Sequence, residues 1–190
     1  MKTRIGLQCF TVCLLTIAAL PARAEDGVSI RVATKLSDFA LTDLDGKLVS
    51  LSTTLQKGPA VLVVLRGWPG YQCPFCTRQF GEFLSHAQDF AKYDATVLFV
   101  YPGPAAGLAE HAREFRAERP LPPHFRFLVD RDMRWLTEHG LRWKAEGETS
   151  YPSTLVLDRQ GEVRFAITGK VHGARASTAQ LLEVLGELHR

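Results

Sequence analysis

Cysteine is scarce in this 190-residue chain: Cys9, Cys13, Cys73 and Cys76 are all it has. So few thiols exclude a disulfide-scaffolded fold, and the chain is long enough to bury a proper core without such staples. No second cysteine pair and no Cys-x-x-His spacing follows Cys76, and His86, His111, His124, His139, His172 and His189 include no i, i+4 pair. The sequence therefore offers no second half for a tetrahedral zinc site. Long hydrophobic runs are lacking too. The apolar run from Cys9 to Leu20 falls short of the about 20 residues that a membrane-spanning helix needs. Repeats, linkers and low-complexity segments are absent, which points to one domain.

Charge of one sign is also lacking. The chain carries 23 basic and 20 acidic residues. Its N-terminus starts basic with Lys2 and Arg4, continues through the apolar run, and reaches an A-x-A pattern at Ala22-Arg23-Ala24 before polar Glu25-Asp26-Gly27. This pattern predicts a secretory signal peptide over residues 1–24 and a mature domain over 25–190, periplasmic or secreted. Cleavage would remove Lys2, Arg4 and Arg23, leaving 20 residues of each sign and no membrane span. Nothing in that balance favours nucleic acid or an anionic membrane. In an oxidising compartment Cys73 and Cys76 would be the only thiols, with one possible pairing.

What the chain does have is the stretch Arg66-Gly67-Trp68-Pro69-Gly70-Tyr71-Gln72-Cys73-Pro74-Phe75-Cys76-Thr77. Ala60–Leu65 before it is short, apolar and β-branched, the pattern of a strand buried on both faces. After it, Phe80, Phe83, Leu84, Ala87, Phe90 and Ala91 recur at helical spacing, which predicts one helix to about Lys92. The cysteines thus sit where a buried strand turns into a helix. At the first turn, unpaired N–H groups and the helix dipole favour a thiolate, so Cys73 is the candidate attacking thiol. Cys76, one turn deeper and expected to be more shielded, is the candidate resolving thiol. The pair predicts a redox site with no cofactor and no metal. Its partner would be a protein or small-molecule disulfide or thiol, with a recycling reductant or oxidant. Trp68, Tyr71 and Phe75 are candidates for an apolar rim that receives a polypeptide, and Arg66 for a charge that stabilises the thiolate.

The remaining pattern is α/β. Asp38–Leu51 alternates apolar and polar residues about Asp45-Gly46, a hairpin signal. A strand over Ala95–Tyr101 should stop at Pro102, followed by helix from about Ala105 to Arg119 and a short strand at Phe125–Val129. Asp130 or Asp132 should cap a helix ending near Gly140, and Asp158 should hold a turn between two antiparallel strands. A last helix starts near Ser177. The alternation predicts βαβ units and a mainly parallel sheet.

Three stretches in this order resemble the thioredoxin superfamily, and within it the redoxin or AhpC/TSA (peroxiredoxin-like) group. They are the Asp38-Phe39-x-Leu41-x-Asp43-x-Asp45-Gly46-Lys47 hairpin, Cys73-Pro74-Phe75-Cys76, and Pro152-Ser153-Thr154-Leu155-Val156-Leu157-Asp158. The resemblance implies a thioredoxin-like fold, a central mixed sheet flanked by helices, with an N-terminal β-hairpin extension. It also implies that Pro152 is cis and lies against the cysteines, with Tyr151 and Pro152 binding substrate. Thiol–disulfide exchange is the activity that it implies first. The spacing Pro69-x-x-x-Cys73-x-x-Cys76 also fits the peroxiredoxin P-x-x-x-T-x-x-C, with Cys73 in place of the threonine. That alternative makes Cys76 the peroxidatic residue and Arg66 or Arg164 the supporting arginine, because Pro152 stands where the family's arginine is expected. A remote alternative, a copper-binding thioredoxin-like chaperone, uses C-x-x-x-C and a histidine where this chain has Thr149-Ser150-Tyr151.

Overall fold

A computed structural model describes residues 30–190; the expected signal peptide over residues 1–24, with Cys9 and Cys13, lies outside the described residues. Ala60–Val64 forms β3, and every residue in it is buried. Its side chains alternate between two cores, which is why the run is apolar without a break. Val61 and Val63 face one cluster with Phe80, Phe83, Phe99, Phe115 and Phe127. Leu62 and Val64 face a second, with Leu51, Leu55, Trp135 and Leu136.

The sheet has seven strands in the order β2-β1-β5-β4-β3-β6-β7. Its members are β1 (Ala40–Asp43), β2 (Leu48–Ser50), β3, β4 (Thr96–Gly103), β5 (Phe125–Arg131), β6 (Ser153–Leu157) and β7 (Val163–Thr168). Only β3/β4 and β4/β5 pair in parallel; both hairpins and the β1/β5 and β3/β6 pairs are antiparallel. The sheet is therefore mixed rather than mainly parallel. Hairpin chemistry fixes its two outer pairs, and βαβ crossovers build only the centre.

Helices α2 (Pro74–Ser85), α3 (Ala87–Ala91), α4 (Leu108–Arg116) and α6 (Thr178–Leu188) cover one face. On the other lie α1 (Leu51–Leu55) and α5 (Arg134–Glu138). The expected single helix through Lys92 is broken at His86, whose φ of −100° and ψ of 15° leave the helical region. Phe83 and Phe90 still stack at 5.2 Å across the break, so the periodicity reads straight through it. Strand β4 also runs past its expected stop. Pro102 pairs with Asp130 of β5, while its N side faces the region beyond the β3 ladder, where a missing N–H costs no strand bond. Asp130 caps α5, accepting the N–H groups of Trp135 (3.1 Å) and Leu136 (3.0 Å). Asp158 accepts those of Gln160 and Glu162 in the β6–β7 turn. No helix among the described residues is long and apolar enough to cross a membrane.

Candidate active site

The chain leaves β3 through a turn that only glycine permits. Gly67 has φ +67°, and a Cβ there would lie 1.8 Å from the Pro102 carbonyl oxygen. The close approach lets the Trp68 N–H bond that carbonyl at 2.9 Å, tying the cysteine-bearing loop to β4. Gln72 fixes the loop a second time, accepting from the Tyr101 hydroxyl (2.8 Å) and donating to the His111 carbonyl (2.9 Å). Burial raises the Tyr101 phenol far above its ordinary range, so it serves as a donor. Trp68 stacks on His111 with ring centres 3.6 Å apart.

Cys73 is the N-cap of α2, with extended backbone and Pro74 as the first helical residue. Cys76 stands in the first turn. Both thiols are free, and both residues are buried, at 2% and 1% exposure. The expected difference in shielding is thus absent from surface accessibility; the two sulfurs differ in their hydrogen bonds. Hydrogen bonding from the Cys76 thiol, and from the backbone at Cys76 and Phe75, favours the thiolate at Cys73. These bonds, with help from the Arg175 charge and against desolvation, lower the Cys73 thiol to about 5. Holding that proton and being buried push Cys76 well above its ordinary value of 9.0. The two thiols are thus shifted in opposite directions, Cys73 toward the thiolate and Cys76 toward the protonated form.

Cys76 is nonetheless prepared to become an anion. Its Sγ accepts the backbone N–H of Arg66 at 3.2 Å and the Arg175 guanidinium at 3.1 Å. Arg175 also donates to Gln79 Oε1 at 2.5 Å, while Gln79 Nε2 is a buried donor with no partner among the described residues. The two arginines named from sequence go elsewhere. Arg66 is buried and turns its guanidinium to Glu148 (2.8 Å), the Gly147 carbonyl (2.6 Å) and the Tyr71 hydroxyl; only its backbone reaches sulfur. Arg164 pairs with Asp158 and Glu162 at the β6–β7 turn.

The structure corrects the reading of Pro152. No cis peptide bond occurs among the described residues, so Tyr151–Pro152 is trans. Trans is the isomer favoured by about 0.5–1 kcal/mol, and bonds on either side hold the chain in place. The Tyr151 N–H donates to Leu141 O at 2.9 Å, and Pro152 O accepts the Gly169 N–H at 2.8 Å. The backbone expected to receive a partner chain is thus already bonded within the molecule. The Tyr151 ring stacks on Trp143, with centres 5.0 Å apart. Of the candidate rim, Tyr71 (49% exposed) and Phe75 (37%) face solvent, whereas Trp68 packs against the core.

Arg175, Glu148 and His172 escaped sequence reasoning because nothing near them in the chain marks them. The only local signal is a glycine-flanked connection with three basic residues, Lys170, His172 and Arg175, between β7 and α6.

The AhpC/TSA family model matches residues 32–166. A chloroplastic peroxiredoxin Q from Triticum aestivum is 32% identical over 128 residues, covering 67% of this chain and 54% of that protein. The chain thus spans about half the length of the curated relatives that it matches. The peroxidoxin BcpB structure from Mycobacterium tuberculosis superposes with TM-score 0.66 at 23% identity, covering 84% of this chain and 98% of that one. A protein assigned as thiol:disulfide interchange protein DsbE from Chlorobium tepidum gives 0.61 at 21% identity, covering 83% and 100%. At these identities the two structures speak to the fold alone.

Proposed function

Because the chain belongs to the AhpC/TSA family, we propose that it is a thiol-based oxidoreductase whose Cys73–Cys76 pair cycles between dithiol and disulfide. The observation that carries this reading is the pair of free cysteines at the start of α2, one of which, Cys76, receives the Arg66 N–H and the Arg175 guanidinium on its sulfur. In disulfide exchange the Cys73 thiolate attacks a substrate disulfide. A Cys73–substrate bond forms, the substrate S–S bond breaks, and one thiolate leaves. Cys76 then passes its proton to a leaving thiolate and attacks Cys73 Sγ, which releases the second half of the substrate. The substrate gains two electrons and the protein ends as a disulfide. Arg175 and the Arg66 N–H stabilise the charge that develops on Cys76 during this second step. A thiol reductant must then restore the dithiol.

A second reading is favoured by one specific contact, the Arg175 guanidinium on Cys76. Here Cys76 cedes its proton to the Cys73 thiolate and attacks a hydroperoxide: an S–O bond forms, the O–O bond breaks, and the leaving alkoxide takes the proton that Cys73 holds. The Cys73 thiolate then attacks the sulfenic sulfur, forming the disulfide and expelling hydroxide, which takes a proton from solvent. Two buried sulfurs suit a small oxidant, and the peroxiredoxin Q relatives support this reading too.

Paired serine variants test both. Under exchange, Cys76→Ser traps a mixed disulfide and Cys73→Ser traps nothing. Rapid hydroperoxide consumption by Cys73→Ser with added thiol, together with an inactive Cys76→Ser, would overturn exchange in favour of the peroxidase. The basic–apolar–A-x-A pattern of residues 1–24 is the basis for placing this chemistry outside the cytoplasm. Intact mass from an exporting host should show cleavage after Ala24, and a secreted chain that keeps Met1 would refute it.

A further inference from the structure

Cys76 lies on a closed ring of hydrogen bonds that draws in three separated parts of the chain. The Arg66 N–H donates to Cys76 Sγ at 3.2 Å, and Arg66 Nε donates to Glu148 Oε2 at 2.8 Å. The other Glu148 oxygen meets His172 Nε2 at 2.9 Å. The His172 carbonyl accepts Arg175 Nε at 3.0 Å, and the same guanidinium returns to Cys76 Sγ at 3.1 Å. Glu148 is itself firmly placed. Arg142 spans the carbonyls of Trp143, Glu148 and Thr149, while the Thr149 and Ser150 hydroxyls bond the Arg66 and Leu65 carbonyls at the end of β3.

The segment that carries Arg175 has far less to hold it. Between Gly169 and Arg175, His172 is the one side chain with a hydrogen-bond partner among the described residues, and Val171 is 63% exposed. The His172 ring bonds the Glu148 carboxylate and lies with its centre 5.5 Å from that of the Trp143 ring. The charged groups facing it are Glu148 and, through the far carboxylate oxygen, Arg66.

We propose that Glu148 and His172 are positioning residues, whose clasp seats the 169–176 segment so that the Arg175 guanidinium stays on the Cys76 sulfur. In this way the clasp sets how readily Cys76 gives up its proton, the event on which either oxidoreductase reading above depends. This inference rests on that reading only in treating the pair as the redox centre. Gln79 also holds Arg175, but from the helix side, and it leaves the segment's backbone untied.

The test follows the pH dependence of Cys76 alkylation, resolved by peptide mass, in full-length reduced Cys73→Ser protein. Adding His172→Ala should raise the Cys76 midpoint by roughly one unit, the lower end of what a charge within contact distance supplies. His172→Gln, which keeps a donor for Glu148, should bring it back toward the starting value. In an Arg175→Ala background, His172→Ala should add nothing, a non-additivity that a merely structural role does not produce. An unchanged midpoint in His172→Ala, or an equal shift with and without Arg175, would overturn the clasp. His172→Asn, too short to reach Glu148, asks the same question with less lost packing should the alanine variant fold poorly. The assay needs no substrate. Coupling without mixed disulfides or hydroperoxide turnover keeps the clasp and refutes the function; turnover without coupling does the reverse.

Discussion

Two regions meet at Cys76, and they are built on different principles. Arg66–Cys76 is one continuous segment, placed by its own chemistry: a glycine turn against Pro102, Gln72 anchored at both ends of its amide, and Pro74 opening the helix. Opposite it, Glu148, His172 and Arg175 come from two connections far along the chain, joined by side-chain bonds alone. The first region supplies the nucleophile through local backbone geometry. The second supplies charge, through ion pairs and hydrogen bonds between residues far apart in the chain.

Breaking the second region at its centre should have the largest effect. Glu148→Leu leaves the Arg66 guanidinium buried without its carboxylate, and removing one partner of such a pair costs about 3–5 kcal/mol. Urea unfolding should show that loss, whereas a change under 1 kcal/mol (roughly that of an exposed pair) would mean the two regions are not joined there.

The first region should reveal itself through pH. Cys73 is held at about 5 in the fold against an ordinary 9.0, so between those values the unfolded chain binds the extra proton. The stability of the reduced protein should therefore rise with pH across that window, its Cys73 contribution complete above 9.0 and lost as pH falls through about 5. Cys76 is shifted upward and acts in the opposite sense, lowering stability at pH above its ordinary 9.0. Thermal melts of the reduced and disulfide forms check both signs, because the disulfide form should show neither trend.

The smallest effect belongs to the border of the second region. Ser177 caps α6 in a capping box with Gln180, two residues past Arg175. Ser177→Ala should cost about 1 kcal/mol in chemical denaturation and leave cysteine titration unchanged. A shift in that titration would show that the 169–176 segment is held by its helix rather than by its clasp.

The same contrast explains what could be read from sequence. The buried strand, the Asp45-Gly46 hairpin, the start of the last helix near Ser177 and the two-cysteine turn are each written in adjacent residues, where period and turn chemistry decide the outcome. The break at His86 was hidden because Phe83 and Phe90 keep helical spacing across it. Pro152 was expected to be cis from its place in a familiar strand. The structure keeps the commoner isomer and spends the neighbouring backbone on Leu141 and Gly169. Arg175 and Glu148 were illegible for a different reason: each owes its role to a partner roughly eighty to a hundred residues away, and no local pattern encodes such a pairing.

Which sulfur carries the charge separates the two readings most directly. Reduced wild-type protein can be alkylated at mildly acidic pH, where an ordinary thiol is inert, and the label mapped by peptide mass. Labelling at Cys73, with Cys76 reacting only after the pH is raised well into the alkaline range, is the predicted result. Labelling at Cys76 first would place the thiolate under Arg175 and contradict the assignment of Cys73 as the attacking residue.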